Sequence, residues 1–402
     1  MATIRPFNPI LPNPLYADQL VFAKPQAESV SGDFNRAGDL KPLKTLLESP
    51  ARLRPETPEG QESAYCEIKE TLCRLLANET LLREKTKHVY VYQVTQRAHR
   101  QTGIWAITDL ADYAAGNIKL HELTFGDSVR RMKNYRENTG LEGSPILLTY
   151  ATDETINSII AAAKAAEPEA AWSNEHGTHR IWKVSAHMED RLVRAFETVA
   201  VTYLADGHHR LEAAVQLMHH NPAQHYISSL YMAFDELRIQ AYNRVVIPGV
   251  PIAKAQFLEQ LSINFHVWES TGNETVLPTR IHRMGMLMCN QWYSLLARPQ
   301  TYVHEHKTAT IDAEILQRYV LSAIFGINDP RSDQRLKCAG GEKALEEIAA
   351  MVREYPDAIA FTLCPLALVE LTGAADAGNI LPPKSTWIDP KIPYGLLLYQ
   401  HD

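Results

Sequence analysis

At 402 residues the chain is too long for one small core, so two or three sub-domains are expected. Its 45% hydrophobic and 22% charged content is that of an ordinary globular protein. A net charge of −7 argues against a dedicated nucleic-acid binder, which carries a basic balance. The opening M-A-T-I-R-P-F lacks a signal-peptide apolar region, and no run of ~18 apolar residues follows, so a cytoplasmic protein without a membrane span is expected. The five cysteines form no C-x-x-C pair, which disfavours a disulfide framework and a zinc ribbon.

In chain order, residues 1–64 are proline-rich and irregular, with one helical pattern at Leu40–Glu48. A helix is expected over Ser63–Asn78, with Ile68, Leu72, Leu75 and Leu76 on one face. Strands at His88–Thr95 and Gly103–Asp109 read as a hairpin whose polar tip, Gln96–Thr102, is solvated. Asp112–Gly116 is a turn, and Ser128–Thr139 a polar helix with Val129, Met132 and Tyr135 inward. Arg130, Arg131 and Lys133 on that helix could line a phosphate cleft but read first as a solvated face. Pro145–Tyr150 is a short buried strand, Thr155–Ala171 an alanine-rich helix, and Ser173–His179 a polar loop. Arg180–Val184 is a strand and Ala186–Thr198 an amphipathic helix.

Val199–Ala205 is apolar and β-branched, Asp206-Gly207 is a turn signal, and Leu211, Ala214, Val215 and Met218 recur at helical spacing from about His208. A strand, a glycine turn and a helix start present backbone N–H groups and the positive end of a helix dipole. His208, His209 and Arg210 crown that junction, which reads either as a phosphate site or as a capped helix start with solvated basic residues.

Tyr226–Asp235 and Ala241–Ile247 read as paired strands, and Pro248–Pro251 as a linker. A helix at Ile252–Leu261 and a strand pair near Phe265–Glu269 and Met284–Leu287 come next. Helices at Ile311–Ile324 and Glu342–Glu354, a strand at Phe361–Leu363 and a helix near Leu366–Leu371 follow. The hairpins exclude a purely parallel sheet. No G-x-G-x-x-G follows a strand and no G-x-x-x-x-G-K-S/T exists, which removes the dinucleotide and P-loop folds.

His121-Glu122-Leu123-Thr124 is the other stretch with chemistry. As a zinc motif it fails, because H-E-x-x-H would need histidine where Phe125 stands. Taken alone it reads first as a surface pair preceding a helix. Glu122 could otherwise act as a general base, with His121 or Thr124 orienting a hydroxyl. His219, His220, His176 and His179 lack a third convergent ligand, so no metal site is assigned, and Cys66 and Cys73 read as half-buried helix residues.

Together the stretches resemble the DUF1015 family. The resemblance rests on H-E-L-T at 121–124, S-P-I-L-L at 144–148, A-D-G-H-H-R at 205–210, L-Q-R-Y-V-L at 316–321 and P-P-K-S-T-W-I-D-P-K-I-P-Y-G-L at 382–396. The order of motifs is also similar, more distantly, to the ParB/sulfiredoxin-like fold and its free-serine kinases. That resemblance implies an α/β fold (α+β mixed sheet) with a ParB/serine-kinase-like core at 85–250 and an insertion at about 152–198. Residues 1–84 would pack on this core, and 251–402 would form a C-terminal α+β elaboration.

The function it implies is nucleotide-dependent phosphoryl transfer to a small hydroxyl compound such as serine. Glu122 would be the base, beside His121, with Asp206 in the catalytic group. Thr124, Gly207, His208, His209, Arg210 and Lys384 would bind the nucleotide, with Lys391 an alternative to Lys384 as point charge. ATP or ADP is the expected cofactor, with Mg²⁺ held by phosphates and a carboxylate, Asp206 or Glu122. The rivals are a non-catalytic nucleotide-binding or CTP-switching protein, and a metal-dependent phosphoesterase or nuclease using His208 and His209. ParB-type switches carry a separate DNA-binding helix-turn-helix and a basic balance, and neither is evident here. The oligomeric state is not legible in the sequence.

Overall fold

The computed structural model describes residues 1–22, 41–54, 57–97, 99–124, 126–174, 177–271, 274–303 and 310–401. Phe125, His176 and much of the proline-rich N-terminal stretch lie outside them. The fold is mixed α/β, and the chain divides into two compact units. The first comprises Met1–Lys119, Thr124–Leu237 and Pro390–Asp402; the second comprises Leu120–Leu123 and Arg238–Asp389. Pro248–Pro251 is irregular chain inside the second unit. Among the described residues no helix is long and apolar enough to cross a membrane.

The first unit is built on a nine-stranded sheet. Its order is Ile118–Lys119, Thr202–Asp206, Ile146–Tyr150, Tyr226–Ala233, His99–Asp109, Tyr90–Gln96, Gly177–Lys183 and Ala170–Asn174, with Ile4–Arg5 beside His99–Asp109. Tyr226–Ala233 runs parallel to Ile146–Tyr150, and Thr202–Asp206 parallel to Ile118–Lys119; the other pairs are antiparallel, so the sheet is mixed. Ile146–Tyr150 is buried along its whole length, as its unbroken I-L-L-T-Y run requires of a strand covered on both faces. Helix His208–His220 lies on it and on Tyr226–Ala233, and packs side by side with helix Gly126–Thr139. Phe196, from helix Ala186–Glu197, packs against the rings of Tyr150 and Tyr231. Helices Leu43–Leu47 and Pro58–Ala77 add a cluster in which Leu43, Leu47, Tyr65, Ile68 and Leu72 meet Leu141 and Leu398.

The structure corrects several local readings. The hairpin tip is far shorter than its polar sequence suggests: Gln101 and Thr102 are buried strand residues, satisfied by the Glu236 backbone carbonyl and carboxylate. The alanine-rich helix stops at Ala163, and Ala170–Asn174 pairs with Gly177–Lys183 where a loop was expected. Met132 is 40% exposed, not inward. Cys66 and Cys73 are exposed.

Tyr226–Ala233 and Tyr242–Val246 do not pair with each other; the first belongs to the nine-stranded sheet and the second to another. That other sheet is the heart of the second unit: Phe265–Glu269, Gln291–Ala297, Arg283–Met288, Ile359–Thr362, Tyr242–Val246 and Leu336–Gly340, all antiparallel. Gln291–Ala297, absent from the sequence reading, lies between the two strands expected to pair. The alternation of side chains sends Val246, Phe361 and Met286 to a core with Phe257 and Ile315. Val245 and Ala360 face the other way, onto Ile348 and Val352 of helix Ala344–Glu354.

Candidate functional site

Strand Thr202–Asp206 ends in the first unit at Asp206, and helix His208–His220 starts two residues later. Gly207 makes this possible: its φ is +102°, a region that costs a side-chain-bearing residue energy. A Cβ there would also lie 2.9 Å from Ile146 Cγ2 and 3.1 Å from Arg210 Nε. The turn therefore sets Asp206, at the strand end, beside Arg210 and Ala213, which are three residues apart on one face of the helix. All three line a cavity of about 520 Å³ within the first unit, a volume typical of small-molecule sites.

Asp206 organises the cationic wall. Arg210 Nη2 donates to its Oδ2 at 2.7 Å, and Lys391 Nζ to its Oδ1 at 2.8 Å. Arg210 also donates to the carbonyl of Pro145, which tethers it to the start of the Ile146–Tyr150 strand. Burial opposes the Asp206 charge, but Arg210 and Lys391 outweigh it and hold the carboxyl below the usual carboxylate range. One carboxylate thus fixes two cations, leaving one excess positive charge at this wall.

Lys391 reaches the cavity because its segment is stapled. Gly395 N–H donates to the carbonyl of Gly143, and the Tyr394 ring lies where a Cβ on Gly143 would be, 1.9 Å from its ring carbon. The Tyr394 and Tyr135 hydroxyls are 3.1 Å apart, and Tyr135 donates to the Leu47 carbonyl.

Deeper in the cavity, Arg136 is buried and pairs with Glu142, while donating to the carbonyls of Gln224 and Tyr226. Glu142 accepts the Ser228 N–H at 2.8 Å and lies 2.7 Å from His401 Nε2. Burial works against this charge as well, yet Arg136 and His401 hold the Glu142 carboxyl below its ordinary range. Neither residue was singled out from sequence. The available signal was a charged residue at position 136, seven after Val129, on the inward face of a helix.

A family model described as "Protein of unknown function (DUF1015)" matches residues 5–318. The chain belongs to the DUF1015 family. No curated protein matches it. Among solved structures, a free serine kinase variant in complex with AMP is similar at 12% identity and a TM-score of 0.38, covering 73% of this chain and 92% of the other. A variant of a free serine kinase in complex with ADP gives 12%, 0.37 and the same coverages. SbnI with a C-terminal truncation, from Staphylococcus aureus, gives 12% and 0.39, with 73% and 86% covered.

In this DUF1015 protein the D-G-H-H-R turn and the D-P-K-I-P-Y segment meet at Asp206 and Lys391. Of the turn's basic residues, Arg210 lines the cavity; His208 is buried, His209 is half-buried, and neither is among the lining residues. Arg131, expected on a solvated face, also lines it, while its neighbour Arg130 pairs with Asp127. Thr124 belongs to the first unit, just before helix Gly126–Thr139. His121 and Glu122 fold with the second unit, where the His121 carbonyl accepts the Leu381 N–H. Lys384 is also in the second unit, with its ammonium 5.7 Å from the Tyr242 ring centroid and its φ at +62°. The lysine at Asp206 is Lys391.

Proposed function

We propose that this DUF1015 protein binds the phosphates of a nucleotide in the first-unit cavity and transfers a phosphoryl group to a small hydroxyl compound. The observation that carries the reading is the Asp206-Gly207 turn, which opens on a cavity with Arg210 and Lys391 fixed about a single carboxylate. Phosphoryl transfer asks the protein mainly to position groups and to neutralise charge. Two cations locked by one carboxylate, at the start of a helix, supply both.

In this reading Asp206 is a positioning residue, because both of its oxygens are already engaged. Mg²⁺ would then be held chiefly by the phosphates rather than by Asp206. Glu122 is assigned as the base on its H-E-L-T motif, as a carboxylate able to take a hydroxyl proton.

The test is a thermal-shift and calorimetric screen of AMP, ADP and ATP with and without Mg²⁺, on wild type and on Arg210→Ala. A phosphoryl-transfer assay on hydroxy amino acids completes it. Nucleotide stabilisation lost in Arg210→Ala, with transfer lost in Glu122→Gln, is the expected result. Binding without transfer to any hydroxyl compound would leave a nucleotide-binding protein and remove the kinase. No binding of any nucleotide would remove both.

A further inference from the structure

The charges around the cavity are unequal in number and in pairing. Three carboxylates line it, and each is taken: Asp206 by Arg210 and Lys391, Glu142 by Arg136, and Glu48 by Arg52 at 3.5 Å. Two further cations line it, Lys44 on helix Leu43–Leu47 and Arg131 on helix Gly126–Thr139. Among the described residues no carboxylate pairs with either; Arg131 Nη2 meets only the Ser128 hydroxyl, at 3.4 Å. Six cations against three carboxylates leave an excess of three positive charges, and only one of these belongs to the Asp206 cluster.

A concave wall with uncompensated charge of one sign concentrates potential toward the ligand. A single phosphate held at Arg210 and Lys391 would leave Lys44 and Arg131 unanswered. Both are exposed side chains, able to close on a ligand without breaking a pair. We propose that Lys44 and Arg131 form a second anion subsite, which makes the cavity selective for a polyphosphate chain of three units over two. This deepens the phosphate-binding reading above and rests on it. The specificity residues are contributed by helices 43–47 and 126–139, and not by the D-G-H-H-R turn.

The test uses inorganic pyrophosphate and tripolyphosphate as probes, titrated calorimetrically into the full-length protein at low salt. Wild type should bind tripolyphosphate about five- to tenfold more tightly than pyrophosphate, the gain two exposed cations can give. The Lys44→Ala/Arg131→Ala double variant should lose that preference while holding pyrophosphate within about threefold of wild type. Both positions are solvent-facing, so the fold should be unaffected, and an unchanged circular dichroism melt checks this. A wild type without preference, or a double variant that retains it, overturns the subsite. If Arg210→Ala abolishes pyrophosphate binding in the same series, the phosphate reading stands even where the subsite fails. If wild type binds neither probe, both fall.

Discussion

Lys391 donates to Oδ1 of Asp206 at 2.8 Å, joining residues 185 positions apart. With Arg210 on the other oxygen, this contact ties the last segment of the chain to the strand–turn–helix junction. A phosphate entering the cavity would meet two cations already oriented, so little conformational freedom remains to be lost on binding.

Removing Lys391 should therefore weaken anion binding more than it weakens the fold. The side chain is half-exposed, so Lys391→Ala should change stability by less than about 1 kcal/mol. Pyrophosphate affinity should fall roughly tenfold, the lower end for a charge-assisted hydrogen bond. Titration beside a urea melt measures both. Equal losses in the two would mean that Lys391 is structural.

The junction itself was legible in the sequence; Lys391 stood there only as an alternative to Lys384, with no sign that Asp206 would be its partner. An apolar run, Asp-Gly, then apolar residues at helical spacing mark strand, turn and helix, because those signals are local. A lysine near the end of the chain carries no local sign of which carboxylate it will meet. The same limit explains Gln101 and Thr102: polar residues next to Arg100 read as a solvated tip until Glu236, 134 and more positions away, satisfies them. Gln291–Ala297 was missed, although four of its residues, Trp292, Tyr293, Leu295 and Ala297, are buried. Lys44 carried no signal, and Arg131 left cleft and solvated face both open, since a cation on a helix surface looks the same whether it faces solvent or a cavity.

Gly207 should not tolerate a side chain. Gly207→Ala combines a positive φ with a Cβ 2.9 Å from Ile146 Cγ2 and 3.1 Å from Arg210 Nε. The strain should cost about 1–3 kcal/mol. Because the new methyl presses on Arg210, phosphate affinity should fall in the same variant. A melt and a pyrophosphate titration give both readings; full stability with full binding would show that the turn relaxes freely.

The Arg136–Glu142 pair is buried, and breaking it should be expensive. Glu142→Ala leaves the Arg136 charge without its carboxylate, a loss of about 3–5 kcal/mol. The pH dependence has a definite sign. A carboxyl held below its ordinary pKa contributes stability above the unfolded value, and that contribution disappears as pH falls through the folded one. Wild type should lose stability on acidification below the ordinary glutamate range, and the variant should lose less over the same interval. Urea melts from pH 6 downward test this, and parallel curves would show that Glu142 carries no net charge interaction.

Asp312, in the second unit, should behave in the opposite sense. It is buried, and its Oδ1 accepts the His282 N–H at 2.7 Å. Burial, reinforced by the Glu370 carboxylate, pushes its pKa up to about 7 against the opposing backbone hydrogen bonds from His282 and Cys364. A carboxyl whose pKa rises on folding holds its proton more tightly in the folded chain. Its contribution is complete below the unfolded value of 3.8 and is lost as pH rises through about 7. Above that, the ionised group costs at most on the order of 4 kcal/mol. Asp312→Asn is neutral at every pH and keeps an oxygen for the His282 N–H. The variant should melt at a higher temperature than wild type at pH 8 and at nearly the same temperature at pH 4, with the difference opening between. Differential scanning calorimetry across that range decides it: a constant offset between the two proteins would mean that Asp312 does not titrate on folding.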